Sequence, residues 1–520
     1  MAALTFAAID VGSFEVEMGI YEISNRNRIR KLDHIRHVTA LGSDTYNNGK
    51  ISYEMVEELC DVLAGFAGIM KSYKVTEYRA YATSAMREAR NSQIVLEQIR
   101  VRTGIEVKII SNSEQRFISY KAIAAKEAEF QKIIQQGTAI VDVGFGSMQV
   151  SLFDKDALVM TQSLPLGVLR LKEFLANARA SAEVEHSLVK ELVDNELMTF
   201  RKMYLKDREF KNVIAIGEPI LTLYYKTEAG KRKEQLTAEE FDHFYARIKS
   251  MTKDQLEDAF DVNGEYAQML FPTASIYKRM LDITGAQMIW VPGIRMVDGM
   301  AAEYAEDKKM LKFNHDFSND IIVASKNIAR RYKCQMSHVQ AVEDSALKLF
   351  DTLKRYHGMK SRERLLLQIA VNLHACGKFV TMRDALDCAY NIIMSTEIIG
   401  LSHVEREIVA NVVKYHDQKF RYNEVEVSAK PSRDSRLVNP ENLTLMIAKL
   451  TAILRLANSM DRSHLNKLAD CKLNVRENQL VISTDYSGDV TLEAISIAEK
   501  GDFFEEIFGV RPVLRQKKKV

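Results

Sequence analysis

Two aspartates, Asp10 and Asp142, each close an apolar run and are followed at once by glycine and serine: Ile9-Asp10-Val11-Gly12-Ser13 and Val141-Asp142-Val143-Gly144-Phe145-Gly146-Ser147. The chemistry this pattern serves is phosphate handling. A buried strand delivers a carboxylate at its end, able to hold Mg²⁺ or a metal-bound water. Gly12, Gly144 and Gly146 let main chain approach an anion where a Cβ would clash. The successive N–H groups of such a turn, with Ser13 and Ser147, form an anion-binding concavity. One turn of this kind is a weak signal; two, each set between an apolar strand and another strand, are stronger. Arg87 adds a guanidinium able to clamp a phosphate through paired hydrogen bonds, with Glu88 as its expected ion-pair partner.

The elements that must position these groups follow from periodicity. Residues 4–10 and 15–23 read as strands around the first turn, 53–72 as a helix, 76–83 as a strand, 91–103 as a helix, 105–110 as a β-rich run and 113–127 as a helix. Alternating strands and helices predict an α/β layer fold. The second turn opens the same way, about 130 residues later, with a strand at 148–153 after it. This weak internal repeat predicts two similar α/β lobes, over 1–127 and 128–305, with Asp10 and Asp142 meeting across a cleft. A polar stretch at 306–319 marks a change of texture. From 320 to 465 apolar spacings of three and four predict an all-helical domain, with an amphipathic stripe over Asn391–Met394 and Glu397–Ile399. Residues 466–520 predict a small α+β cap: a hairpin over 471–484, a helix over 491–507 and an end strand over 509–514.

Composition narrows the setting. A net charge of +2 gives no electrostatic reason to expect nucleic acid. The basic end Arg515-Gln516-Lys517-Lys518-Lys519 reads as a solvated tail. Five scattered cysteines without a C-x-x-C pair are expected in a reducing cytoplasm. The start of the chain has no signal-peptide pattern, and no run of 18 uncharged apolar residues predicts a membrane span.

The segment Ala82-Thr83-Ser84-Ala85-Met86-Arg87-Glu88-Ala89-Arg90-Asn91 resembles, almost residue for residue, a signature of the exopolyphosphatase / guanosine pentaphosphate phosphatase family. The doublet of turns is similar to the phosphate loops of the actin-like ATPase superfamily to which that family belongs. Pro165-Leu166-Gly167-Val168-Leu169-Arg170-Leu171, Phe271-Pro272-Thr273 and Met296–Met300 extend the likeness. The resemblance implies a two-lobed, ribonuclease H-like actin fold and a homodimer. It also implies hydrolysis of a terminal phosphoanhydride in polyphosphate or guanosine pentaphosphate. The family's S-G-x-E-E-A-R motif places its catalytic glutamate at Gln115 here, beside Glu114. Its D-x-G-G-G-S-x-E loop places a second glutamate at Gln149, and its middle glycine at Phe145. An amide has no useful basicity, and losing general base catalysis costs about 10²–10⁴-fold in rate, so Glu114 is the residue left to activate water. Phe145 either stacks on a guanine ring or blocks the loop. Phe14 and Glu15 stand where the family favours small polar residues.

In the helical half, Leu373-His374-Ala375-Cys376-Gly377-Lys378 resembles the core of HD phosphohydrolases, with alanine in place of the metal-anchoring aspartate. The run Leu454–His464 resembles the helix carrying their last ligand. The resemblance implies a degenerate HD-like metal site at His338, His374 and Asp461, alongside the reading that these are buried structural groups. Two functions stay open on sequence. One is a Mg²⁺-dependent hydrolase. The other is a catalytically impaired protein that binds polyphosphate or guanosine tetra- or pentaphosphate and relays a signal.

Overall fold

The computed structural model describes residues 4–516 except 25–27, 156, 179–181, 206–207, 226–233, 426, 428–436 and 438–441. Lys517–Lys519 of the basic end lie outside the described residues. The chain divides into two units, Met1–Asp316 and Phe317–Val520.

The first unit holds two sheets. In one, strands β1 (Leu4–Val11), β2 (Glu15–Ser24), β3 (Arg28–Val38), β4 (Glu77–Ala82) and β5 (Lys108–Ile109) lie in the order β3-β2-β1-β4-β5. In the other, β6 (Thr138–Val143), β7 (Met148–Asp154), β8 (Ala157–Leu164), β9 (Asn212–Ile216), β10 (Gln235–Thr237) and β11 (Met288–Trp290) lie in the order β10-β11-β9-β6-β7-β8. The two sheets repeat one plan. β1 pairs antiparallel with β2 and parallel with β4, and β6 pairs antiparallel with β7 and parallel with β9.

β1 shows why its sequence is apolar throughout. Ala7, Ile9 and Val11 face one core, while Phe6 and Ala8 face another, so both faces of the strand are covered by packed side chains. β3, Arg28-Ile-Arg-Lys-Leu-Asp-His-Ile-Arg-His-Val38, and the helix Leu41–Asn48 had no counterpart in the sequence reading. β3 is an edge strand, where charge discourages pairing with other chains, and that charge hides its alternation. The helix read over 113–127 is two helices, Asn112–Ala124 and Glu127–Ile134.

The boundary of the second lobe needs a correction. The helix Met296–Asp307 was assigned to the lobe over 128–305, yet it packs under the first sheet. Phe6 stacks on Tyr304 with ring centroids 4.1 Å apart, Tyr21 donates to Asp298 at 2.7 Å, and Val297, Met300 and Ala301 share a core with Phe6 and Ala8. The chain therefore returns to the first lobe before the unit ends. Phe271-Pro272-Thr273 lie buried within the helix Gly264–Thr284.

The second unit is mainly helical, with a three-stranded sheet of β12 (Lys472–Arg476), β13 (Gln479–Thr484) and β14 (Arg511–Gln516) and the helix Thr491–Phe508 between the last two strands. Helix Leu443–Met460 is long and apolar enough to cross a membrane, but 78% of it is buried within the protein, the pattern of a core helix. The stripe read over 391–399 stops short: helix Ala385–Ser395 ends before Glu397–Ile399, where Thr396 turns to an extended conformation.

One contact fixes where the returning helix lies. A Cβ on Gly299 would stand 2.2 Å from the Ile118 carbonyl oxygen on helix Asn112–Ala124. Gly299→Ala is expected to destabilise the first unit by about 1–3 kcal/mol, read as a lower urea midpoint in hydrogen exchange of peptides from residues 4–316.

Candidate active site

The two aspartate turns superimpose in their bonding. Gly12 N–H donates to the Glu15 carbonyl at 3.0 Å and Gly144 N–H to the Ser147 carbonyl at 2.9 Å. Asp10 and Asp142 sit at equivalent points of the two repeats, and both line one cavity of about 80 Å³. Its walls include Gly12, Ser13, Gly144, Gly146 and Ser147 from the two turns, with Gln115 from the helix after β5. The structure brings these groups of the sequence analysis to one place. The sequence reading missed three that complete the wall: Glu17, Glu218 and Arg295.

Glu17 had a signal. It stands directly opposite Asp10 across the β1–β2 ladder, and Gln149 stands opposite Asp142 across β6–β7. In each repeat the spacing from the aspartate is seven residues, so residue 17 occupies in the first lobe the place that residue 149 occupies in the second. Glu218 opens the helix after β9, and nothing in its local sequence marks it.

Charge dominates the site. Burial, then repulsion from Glu17, Glu218, Glu15 and Asp142, pushes the Asp10 carboxyl well above the usual carboxylate range. Burial raises Glu17 to about 7, against the lowering pull of Arg295. Burial raises Asp142 to about 6, opposed by a hydrogen bond from Ser119 and by the charge of Arg116. Glu218 is likewise raised by burial and by Glu17. Two arginines offset this charge. Arg295 pairs with Glu218 and lies 3.5 Å from Glu17. Arg36 reaches Glu15 at 3.2 Å and Glu218 at 3.9 Å. Tyr266 donates to Glu15 at 2.5 Å. His34 meets Glu17 at 2.7 Å, and burial with the neighbouring Arg295 charge holds it down to about 4.

Oxygens of Asp10 (Oδ1), Glu17 (Oε1), Gln115 (Oε1) and Gln149 (Oε1) are buried without a hydrogen-bond partner. Unpartnered buried carboxylate oxygen is costly unless a cation or proton meets it. Hard oxygen donors of this type are the ligands Mg²⁺ takes, usually alongside phosphate oxygens. The residues present fit a magnesium–phosphate group, though among the described residues no three carboxylate, histidine or cysteine side chains form a closed protein cage.

Other expectations change. Glu114 is not in the cavity wall. It closes a capping box on helix Asn112–Ala124, accepting from the Ser111 N–H and Oγ at 2.9 Å each, and it pairs with Lys108 at 3.2 Å. The Ser-x-x-Glu spacing itself encodes that cap. Arg87 is also absent from the wall: its guanidinium donates to the Ile110 carbonyl at 2.6 Å and to Asn112. Glu88 pairs with Arg170 rather than with Arg87. Arg170 in turn donates to the Gly146 carbonyl and lies over the Tyr46 ring, 3.9 Å from its centroid.

Phe145 neither projects as a platform for a base nor fills the turn. Its ring packs into the core of the second lobe, 4.8 Å from Phe14. Phe14 belongs to the first lobe by chain but to the second lobe's core by packing. The two departures from the family pattern thus compensate each other. The second turn lies so close against first-lobe side chains that a Cβ on Gly146 would stand 1.9 Å from the Tyr46 hydroxyl, 2.3 Å from Ser84 Oγ and 3.0 Å from Ser13 Oγ of the first turn. Ser13 Oγ is held by Tyr46 at 2.8 Å and Ser84 at 2.9 Å.

In the second unit His338, His374 and Asp461 do come together. His338 Nδ1 meets Asp461 at 2.7 Å and its Nε2 meets Asn458 at 3.1 Å. His374 Nδ1–H donates to the Val371 carbonyl at 2.7 Å, and its Nε2 lies 3.4 Å from that of His338. His464 stacks on His338 at 3.6 Å, and His416 lies beside His374. This is a hydrogen-bonded histidine cluster, and no metal-holding group forms there among the described residues.

The profile of the Ppx/GppA phosphatase family matches residues 20–301, and that of Ppx/GppA phosphatase domain III matches residues 323–499. The chain belongs to the Ppx/GppA phosphatase family. Among curated relatives, a guanosine-5'-triphosphate,3'-diphosphate pyrophosphatase of Photobacterium profundum is 22% identical over 488 residues, covering 92% of this chain and 91% of that protein. Exopolyphosphatase 1 of Mycobacterium tuberculosis is 27% identical over 168 residues, covering 32% of this chain and 48% of that protein. In fold, a crystal structure of an exopolyphosphatase from Cytophaga hutchinsonii is similar with a TM-score of 0.51 at 18% identity, over 59% of this chain and 98% of that one. The actin-like ATPase type of fold in the first unit is therefore that of the Ppx/GppA family.

The histidine cluster sets a pH response for the second unit. Burial holds His416 down to about 4 and His374 well below its usual value. Neutral rings in the folded state contribute stability that is complete above pH 6.5 and is lost as pH falls towards 4. Acidification through that window is expected to lower the amide protection factors, taken against the intrinsic rate at each pH, of peptides from Phe317–Gln516, and His416→Gln should flatten the response.

Proposed function

We propose that this chain hydrolyses the terminal phosphoanhydride bond of inorganic polyphosphate or of guanosine pentaphosphate, with Mg²⁺ as its cofactor. The observation that carries the reading is the single cavity walled by both aspartate turns, with buried carboxylate oxygens that lack partners. The family and the activities for which its relatives are named support the same class of reaction. Asp10 and Asp142 would hold the ion. When bound, magnesium supplies neutralisation of phosphate charge and polarises the P–O bond under attack. The N–H groups of the turns hold the terminal phosphate, and Arg295 is the cavity-wall guanidinium that meets it.

We read the helical unit as related to HD phosphohydrolases with its metal site degenerate, Ala375 having removed a ligand. A cytoplasmic setting is supported by five unpaired cysteines, and a homodimer belongs to the same reading. A second reading, a regulator that binds polyphosphate or the alarmone without turnover, is favoured by the amides of Gln115 and Gln149.

Phosphate release from polyphosphate and from guanosine pentaphosphate in Mg²⁺ distinguishes the two. The hydrolase reading expects release that chelation abolishes and that Asp10→Asn lowers by about 10²–10³-fold. Tight binding of either compound with no release supports the regulator instead.

A further inference from the structure

We propose that Glu17 is the general base of this site, taking in the first lobe the role that Gln149 cannot perform in the second, and that His34 carries its proton away. The inference rests on the hydrolase reading and names a residue within it.

The two sheets are pseudo-symmetric. Asp10–Glu17 and Asp142–Gln149 are equivalent cross-strand pairs, one in each repeat. Residues directly opposite on an antiparallel pair project from the same face, so Glu17 and Asp10 look into the same cavity, and both line it. An enzyme that needs one carboxylate beside the attacking water can draw it from either repeat. Here the two positions at which the family carries glutamates hold only amides, Gln115 in the first repeat and Gln149 in the second. Glu17 Oε1 is buried without a partner, free to accept from water. Its other oxygen, Oε2, is held by His34 Nε2 at 2.7 Å. The His34 side chain is 21% exposed against 2% for Glu17, so the ring joins a dry carboxylate to solvent. Glu114, beside Gln115 in sequence, is committed to its helix cap, and Glu218 is the closer partner of Arg295, which stands 3.5 Å from Glu17.

The step balances simply. The oxygen of a water attacks the terminal phosphorus, and its proton passes to the Glu17 carboxylate. The bond from that phosphorus to the bridging oxygen breaks, and the electron pair stays on the shortened chain. The proton leaves Glu17 through His34. His34 acts through Glu17 and is a positioning and relay residue.

The test uses the full-length protein with inorganic polyphosphate and Mg²⁺. Glu17→Gln is expected to lower kcat by about 10²–10⁴-fold with KM changed by less than about threefold. Adding Gln149→Glu in the Glu17→Gln background is expected to restore a measurable part of kcat, because it returns a carboxylate to the equivalent place. His34→Ala is expected to lower kcat and to recover partly in added imidazole, which a purely structural role would not do. Should Glu17→Gln fail to fold, Glu17→Asp keeps the charge and the partner of His34 and is expected to lose at least tenfold in kcat. A natural protein that releases phosphate while Glu17→Gln, or the folded Glu17→Asp, retains full kcat overturns this assignment alone. A natural protein that releases none overturns it together with the hydrolase reading.

Discussion

Four carboxyl groups, those of Asp10, Glu17, Asp142 and Glu218, face one small cavity, and Arg295 is the single guanidinium in its wall. Burial first, and repulsion between like charges after it, makes Asp10, Glu17 and Glu218 all hold their protons more tightly than free carboxyls do. Arg295 and Arg36 bridge acids from both lobes. Arg36, on β3, reaches Glu15 of its own lobe and Glu218 of the other. Arg295 reaches Glu17 and Glu218. On the proposed hydrolase reading, a divalent cation held by Asp10 and Asp142 would offset the charge that a phosphate chain brings to this cavity.

The same electrostatics explain what the sequence disclosed and what it hid. The aspartate–glycine turns were legible because their chemistry is local: an apolar strand, a carboxylate, then main chain stripped of side chains. Glu17 was legible in principle, through the seven-residue offset it shares with Gln149. That offset has meaning only once the two repeats are laid on each other strand by strand. Arg295 and Glu218 were not legible, because each reaches the cavity through tertiary placement from more than two hundred residues beyond the first turn. Arg87 and Glu114 show the reverse error. Both lie in segments that resemble family signatures, and both serve the helices they sit on: Arg87 ties its turn to the Ile110 carbonyl and Glu114 caps the next helix.

In the second unit the histidines gather into one cluster. His338, His374 and Asp461 meet in it. His416 and His464, which have no telling spacing, stack into the same cluster. Each ring has a partner for at least one nitrogen, so the cluster is held by hydrogen bonds where an ion would otherwise be needed. At the fold level the α/β plan was readable from apolar runs. The return of helix Met296–Asp307 to the first lobe was not, since its apolar face would suit either sheet.

Phe14 gives the lobes a resting preference. It is carried by the first lobe and seated among the side chains of the second, against Phe145. Parting the lobes draws a benzyl group out of an oily socket into water, at a cost of about 1.5–3 kcal/mol. That difference alone makes the open form roughly ten- to a hundredfold rarer than the shut one. A molecule that fits only between parted lobes therefore binds more weakly by that same factor, a handicap set by one aromatic plug.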